Sequence, residues 1–536
     1  MVEFGLLNWT IVLVLFAIFL TMGYVISRKV STAEDFYKGH EAIPWWVIGI
    51  SVVAAYVSAM TFLGAPAWAY KAGLSVIIIH INYPIVIFVV VAYFFPFFYN
   101  SGVISIYDYL EKRFGSTSRI TISGIFLLTQ ALSSAAVLYG TSLVIGFITG
   151  LDVIYCIFIV TMMALTYTIM GGISAVIWIE LVQAVIFVTG AGIIMYTLLT
   201  KLPLPLVDTI AELKTMGKLN PLKWGLDFSD TTSVWAGVVA MTLYHITVCG
   251  TNQMMVQRTL TAKSIGDAKK SFLIIGFAGF FIYFLFVSLG ALFYQYYGGK
   301  KFENDNMIIL QFAANYGLPG LMGIVAAAVM SASMSSLASA YNALSTITLI
   351  DFYQKINKTP QTPTYNLKLS RIFTASWAAF IIIPAILYST LDNTSILELL
   401  TKIGSFFVGA KLSMYGLGFF SKHTTEKGLM VGVVMGMATV WIVAATTTIA
   451  WPWYCLIGST VNVLVAIPLS IYWTGYQSEW SQYSIPGQKK MFKDKGLPEK
   501  DGGWYLVPGK IDPPLYYLLA FFVLTILFLL GLQTWL

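Results

Sequence analysis

SVVAAYVSAMTFLGAPAWAY, residues 51–70, is apolar enough to lie in a bilayer and yet is built unlike a plain membrane anchor. A hydrocarbon core of about 30 Å takes about 20 apolar residues in a helix, and this run sits inside one such stretch at 43–70. Small and hydroxylated residues crowd its middle, and Gly64 and Pro66 follow. Proline lacks an amide hydrogen and clashes with the turn before it, so the helix is predicted to kink or unwind there. VCGTNQ, residues 248–253, again sets Gly beside polar residues within a spanning run. In many transporter folds two interrupted helices, one from each inverted repeat, mark a binding site at the midplane. The two runs lie five spans apart, which suits two five-helix halves. The plainer alternative is that Gly and Pro are simply commoner in membrane helices.

A third run, AAAVMSASMSSLASAYNALS at 326–345, puts Ala332, Ser335 and Ser336 at i, i+3 and i+4, on one helix face. At that spacing a serine hydroxyl reaches back to the carbonyl of residue i. A hard cation takes hydroxyl and carbonyl oxygens together as ligands. Carbonyls freed around Ala54 and Val57 would complete a cage without any carboxylate. Small residues spaced this way are also the usual surface for close helix packing, and spacing alone leans to packing.

The rest of the chain supplies the setting. Of 536 residues 58% are hydrophobic and 10% charged, against about a quarter charged in a soluble domain. Such a chain cannot cover itself in water, so lipid is its solvent. The net charge of +7 does not point to nucleic acid, because the bases form no clustered face. Cys156, Cys249 and Cys455 all fall in apolar runs, so no disulfide or zinc framework follows. Fourteen spans are predicted, at 8–27, 43–70, 75–99, 120–149, 151–170, 175–199, 232–254, 272–297, 319–349, 371–391, 395–420, 428–449, 451–474 and 514–535. The first has no basic region ahead of it and no small-residue cleavage site, and is expected to be retained. With the N-terminus outside, 22 of the 31 Lys and Arg residues lie in inside connections and seven outside. The positive-inside rule then puts both termini outside. An almost bare turn is expected at 171–174, and the longest connection, 475–513, is too short for a core of its own.

Several motifs in one order carry a resemblance. EDFYKGHEAIPWW (34–46), SAMTFLGAPAWAY (58–70), IYDYLEKRFG (106–115), MGGISAVIWIELVQ (170–183), TNQMMVQRTLTAKS (251–264) and SMSSLASAYNALSTITLIDFY (333–353) resemble the sodium/solute symporter family over nearly the whole length. The resemblance implies an all-α membrane protein of the leucine-transporter type. A leading helix (8–27) would precede a ten-helix inverted-repeat core of five plus five (43–420), with three trailing helices (428–535), as one transporter domain. The family's shared sodium site falls on Ala54, Val57, Ala332, Ser335 and Ser336, the set that spacing selected. A second sodium, held in some members, would use Glu180 and Ser339. Ala338 replaces one hydroxyl there, Glu180 is one methylene longer than the usual aspartate, and pairing of Glu180 with a nearby base is the plainer role. One sodium per cycle is therefore expected.

The solute site departs from the galactose branch, whose sugar-binding side chains fall on Thr61, His80, Tyr83, His245, Gly279 and Leu400. TFLGAPAWAY is closer to the branch that carries small organic anions, including sialic acid. The arginine that clamps the carboxylate in sialic acid transporters falls near Ser133, so no bidentate partner is evident. Candidate solute contacts are Ser58, Thr61, His80, Tyr83, Ser133 and His245. The two histidines lie deep in apolar runs, where an ionisable group is a functional hypothesis; a neutral imidazole bonded to a neighbouring helix is the alternative. Tyr244 and Phe406 are candidate gates, Lys411 is placed to snorkel inward, and the deeper Lys402 to attract an anion. Sodium-coupled symport of a small organic solute is expected, an acid favoured over a sugar or polyol, with no other cofactor and no nucleic acid partner. The compact loops suit a bacterial inner membrane; oligomeric state is not legible. A membrane enzyme would need clustered carboxylates, a metal-binding His pair or an activated nucleophile. A transporter-like sensor would need a catalytic extension, and a proton-coupled carrier a titrating group where Ser335 and Ser336 stand.

Overall fold

The computed structural model describes residues 4–39, 43–57, 59–101, 105–303, 305–315, 319–357, 359, 361–390 and 395–534, without the side chains of 59, 60, 101 and 395–403. The chain is almost wholly helical. It opens with α1 (Gly5–Ser27), α2 (Ala33–Lys38), α3 (Trp45–Tyr56) and α4 (Ala59–Ala72), then α5 (Tyr83–Val89), α6 (Phe95–Ser101) and α7 (Asp108–Arg113). Two long helices, α8 (Ser116–Thr149) and α9 (Val153–Leu199), lead to α10 (Leu206–Thr215), α11 (Met241–Thr251), α12 (Gln253–Thr259) and α13 (Ile265–Tyr296). Next come α14 (Ile308–Asn315), α15 (Leu321–Ile347), α16 (Gln354–Ile356), α17 (Pro363–Ser389) and α18 (Ser395–Phe420). The chain closes with α19 (Glu426–Thr446), α20 (Tyr454–Thr474), α21 (Ile485–Asp494) and α22 (Leu515–Thr534). Among the described residues ten helical stretches are long and apolar enough to cross a membrane.

α15 is the axis of the core. Nearly all of its residues are buried, and it packs on α1, α3, α8, α9 and α17. Its run of Ala and Ser lets those neighbours approach closely. By contrast α1 buries only Val12, Phe19 and Gly23, as expected for a helix that faces lipid along most of its surface.

Two local features differ from expectation, and the longest connection, though without a core of its own, carries ordered elements. The second span does break, but at Val57 (φ −85°, ψ 110°), directly after α3, and not at Pro66, which lies inside a continuous α4. Membrane helices tolerate an internal proline where neighbouring helices pack closely against it. Gly290 of α13 lies so close to the Pro66 carbonyl that a Cβ there would stand 2.3 Å from its oxygen. The turn expected at 171–174 is a break at one residue, Gly172 (φ 56°, ψ −148°), within α9. A Cβ on it would stand 2.4 Å from the Phe36 carbonyl oxygen, so glycine is required on both steric and backbone grounds. The 475–513 connection is more than a tether. It carries α21 and a hairpin of β1 (Lys500–Asp501) and β2 (Trp504–Tyr505). Asp512 anchors it through a 2.6 Å ion pair to Lys269, both side chains at most 1% exposed.

Candidate functional site

The end of α3 and the middle of α15 meet at a cavity of about 20 Å³, lined by Ala54, Val57, Gln183, Ala332 and Ser335 among others. That is room for one water-sized particle. The extended Val57 ends the helix, and the last turn of any helix leaves carbonyl oxygens without intrahelical donors. Ser336 Oγ stands 3.3 Å from the Ala332 carbonyl oxygen, the back-bond that the i, i+4 spacing anticipates. Gln183 was not anticipated. It is 1% exposed, with the Tyr167 hydroxyl beside its amide and no hydrogen bond of good geometry to either amide atom among the described residues. Its sequence signal is a polar side chain three positions after Glu180 in a mostly apolar helix.

Beside this cavity lies a fully buried ion pair. Arg258 of α12 holds Glu180 of α9 at 2.7 Å, each side chain 1% exposed. Glu180 also accepts hydrogen bonds from Ser51, from Ser335 at 3.1 Å and from Ser339. Arg258 donates further to Ser51, Ser339 and the Met254 carbonyl. Glu180 and Ser339, the candidates for a second sodium, are thus together, with a guanidinium already against both. Ser335 belongs to both sites: it lines the small cavity and gives its proton to Glu180.

Four of the solute candidates converge elsewhere. The His80 ring stacks on Tyr283 with centroids 3.4 Å apart, and Tyr83 stacks on His245 at 4.9 Å. His80 Nδ1 is 3.1 Å from the Tyr83 hydroxyl, and Thr61 Oγ1 is 3.4 Å from that of Tyr283. Asn82 fixes the arrangement. Its amide nitrogen donates to the Gly237 and Ile79 carbonyls, so its oxygen is the atom 2.8 Å from His245 Nδ1. An amide oxygen only accepts, so His245 carries its proton on Nδ1, and in the neutral ring Nε2 is left as an acceptor. Tyr56 closes the cluster edge-on against Tyr83 and His245. At Gly279 a Cβ would stand 2.6 Å from the Tyr83 ring, so the ring packs directly on the glycine and leaves no room there for a side chain.

The remaining candidates separate from this cluster. Ser133 lines a different cavity, between α8, α11 and α18, together with Tyr244 and Lys411. Lys411 does not snorkel; it is 8% exposed, with its ammonium 5.5 Å from the centre of the Phe126 ring. Phe406 stacks on Tyr454 at 5.7 Å, which makes it a packing residue. Ser58 and the side chains of Leu400 and Lys402 lie outside the described residues. Sequence reasoning also missed Asn82 and Tyr283, and a charge network in which Arg119 bonds Asp108, Glu111 and Asp351 at 2.6, 2.6 and 2.5 Å.

Known proteins share this architecture. The sequence profile of the sodium:solute symporter family (SSF) matches residues 36–436. The sodium/sialic acid symporter SiaT of Proteus mirabilis is 25% identical over 87% of this chain and 94% of its own. The sodium/glucose cotransporter of Vibrio parahaemolyticus is 28% identical over 78% of this chain and 81% of its own. A Na+-coupled sialic acid symporter, solved in a substrate-bound outward-open state, superposes with a TM-score of 0.82 at 25% identity, covering 88% of this chain and 98% of its own. Mhp1, a nucleobase-cation-symport-1 transporter, shares the fold at a TM-score of 0.52 and 13% identity. With the family's profile spanning most of its length, this multi-pass membrane chain belongs to the sodium:solute symporter family, sodium-coupled secondary transporters and not enzymes.

Proposed function

We propose that the chain carries a small organic anion, of the sialic acid kind, into a bacterial cell across the inner membrane, together with one sodium ion. The observation that carries the reading is the cavity in which Ala54, Val57, Ala332 and Ser335 meet. In this reading the ion sits among the carbonyl oxygens of Ala54, Val57 and Ala332 and the hydroxyls of Ser335 and Ser336. The amide oxygen of Gln183 adds one more neutral ligand. The guanidinium of Arg258 takes the charge-compensating place that a second sodium would need, which supports a stoichiometry of one. Thr61, His80, Tyr83 and His245 would contact the solute, and the loss of side chain at Gly279 weighs against a sugar. The assigned topology is fourteen crossings with both termini outside: a leading helix, a ten-helix core of two inverted five-helix halves, and three trailing helices.

Coupling follows from linkage. Sodium between α3 and α15 ties together two parts of the core, so its binding favours one conformation. A solute that binds better in that conformation is then bound more tightly when sodium is present. One sodium with one monovalent anion moves no net charge, so the sodium concentration gradient drives the accumulation; with a neutral solute in its place the potential would add about 2.3 kcal/mol for each 100 mV, about 50-fold. The test is uptake into proteoliposomes. Replacing sodium by choline is expected to abolish accumulation of N-acetylneuraminate. Ser336→Ala is expected to raise the half-saturating sodium concentration by about ten- to a hundredfold, the worth of a hydrogen bond to a charged group. Accumulation that survives in choline and follows a pH gradient would overturn the reading in favour of proton coupling.

A further inference from the structure

Three of the basic residues buried in this protein have an acid at their side: Arg258 has Glu180, Lys269 has Asp512 and Arg119 has Asp351. Lys411 differs. It is 8% exposed, and among the described residues its ammonium meets a ring face, that of Phe126, and no carboxylate. A cation at such depth is costly without a counter-charge. Lys411 also lines a cavity of about 160 Å³, whose other walls include Gln130, Ser133, Tyr244, Thr247 and Asn252. The Ser133 hydroxyl makes no hydrogen bond within the described chain, and it is exposed. The Thr247 and Thr251 hydroxyls give their protons to helix carbonyls, so the donors facing an incoming group are the ammonium, the Ser133 and Tyr244 hydroxyls and the Asn252 amide nitrogen, of which the ammonium alone is charged. The cavity adjoins the aromatic cluster, since Tyr244 lines it and stands 5.6 Å ring to ring from His245.

We propose that this cavity is a carboxylate site, in which the Lys411 ammonium and the Ser133 hydroxyl hold the acid group of a small organic anion next to the His245 cluster. The proposal deepens the functional reading and rests on it in one respect, that the bound acid is the transported solute. A lone ammonium holds a carboxylate as a point charge, so the site discriminates acid from neutral analogue more than one acid from another. The volume admits the carboxylate and a few neighbouring atoms; the body of a larger solute would extend toward Tyr244.

The test uses the purified full chain with two probes, labelled acetate as the bare carboxylate and labelled N-acetylneuraminate, beside the methyl ester of the latter. Binding is measured on the native chain, Lys411→Gln and Lys411→Arg at fixed sodium and ionic strength. Lys411→Gln is expected to weaken both acids by about ten- to a hundredfold, leave the ester unchanged, and be rescued in part by Lys411→Arg. Gly404→Leu serves should Lys411→Gln fail to fold. Gly404 lines the cavity and a Cβ on it meets nothing within 4 Å, so the larger side chain fills the space and should exclude both acids. Native chain that binds neither acid, or acid binding untouched by both Lys411→Gln and Gly404→Leu, overturns the site. Sodium-driven uptake of an acid that is indifferent to both variants also overturns the site while leaving anion symport standing. Acetate bound through Lys411, in a chain that transports only neutral solutes, supports the site and overturns the functional reading instead.

Discussion

Arg258→Met should destabilise the protein by about 3–5 kcal/mol, and adding Glu180→Gln should restore most of that loss. The magnitude comes from burial. Both side chains are 1% exposed and approach to 2.7 Å, so neither charge has water to fall back on. Removing one partner of such a pair leaves the other uncompensated, at a cost of about 3–5 kcal/mol. Arg258→Met also strips donors from Glu180 and from the Met254 carbonyl, which places it toward the upper end. The double variant removes both charges at once. The glutamine oxygen still accepts from Ser335 and Ser339, and its amide nitrogen, in the place of the other carboxylate oxygen, can donate to the Ser51 hydroxyl, so the residual loss should be about 1–2 kcal/mol. The coupling energy is then at least about 2 kcal/mol. The assay is denaturant unfolding in mixed micelles, followed by intrinsic fluorescence, on native chain, both single variants and the double. Additive losses, with a coupling energy under about 0.5 kcal/mol, would refute the reasoning, because they would mean the pair is solvated or already broken.

Other perturbations act on separate parts. Gln183→Leu should raise the half-saturating sodium concentration in uptake without altering solute affinity at saturating sodium; an unchanged sodium curve removes Gln183 from the cage. Asn82→Leu deprives His245 of its acceptor and the Ile79 and Gly237 carbonyls of a donor, at about 1–3 kcal/mol for each group left unpaired. A lower unfolding midpoint together with a raised KM for solute is expected, and an effect on neither contradicts its role in holding the ring. Gly172→Ala forces a Cβ toward the Phe36 carbonyl at a positive φ, so the monodisperse fraction on fluorescence-detected size exclusion should fall sharply. Native-like yield would show that α2 and α9 can separate there.

Lipid immersion is legible from sequence because it is a property of totals: 10% charged residues leave no other solvent. The meeting of Ala54 and Val57 with Ala332 and Ser335 was legible in part: the i, i+3, i+4 set announces itself locally, but spacing alone leaned to packing, and the family's motifs were needed to favour a cage. Pro66 misled about where the break falls, because a proline's effect depends on what packs against it, and Gly290 comes from a helix more than 200 residues away. Arg258 stood in view as one base among the inside connections. Nothing in its neighbours says that it turns inward to Glu180, because that contact joins α9 to α12 across 78 positions. Tyr283 gave no signal at all; one more ring in FFIYFLF becomes part of a site only when His80 is laid on it.

Ser335 explains why a cage of neutral oxygens would suit a monovalent ion so close to a carboxylate. Its proton points to Glu180, which leaves the oxygen lone pairs for the cavity, and a hydroxyl that donates to an anion is itself a better acceptor. Arg258 cancels the carboxylate's charge at 2.7 Å, so an ion in the cavity feels the polarised hydroxyl more than a bare negative charge. The same residues also join α3, α9, α12 and α15. Ser51 lies in α3, which ends at the break at Val57, and Arg258 lies in α12, which begins after the break at Asn252. Both are bonded to Glu180 of α9 and, through it, to Ser335 and Ser339 of α15. Sodium in the proposed cage would add a second link between α3 and α15 beside one that is permanent. Any motion that swings α3 away from α15 must then give up the ion before it strains the ion pair, since ligand oxygens facing a cavity yield more easily than two charges with nowhere to be hydrated.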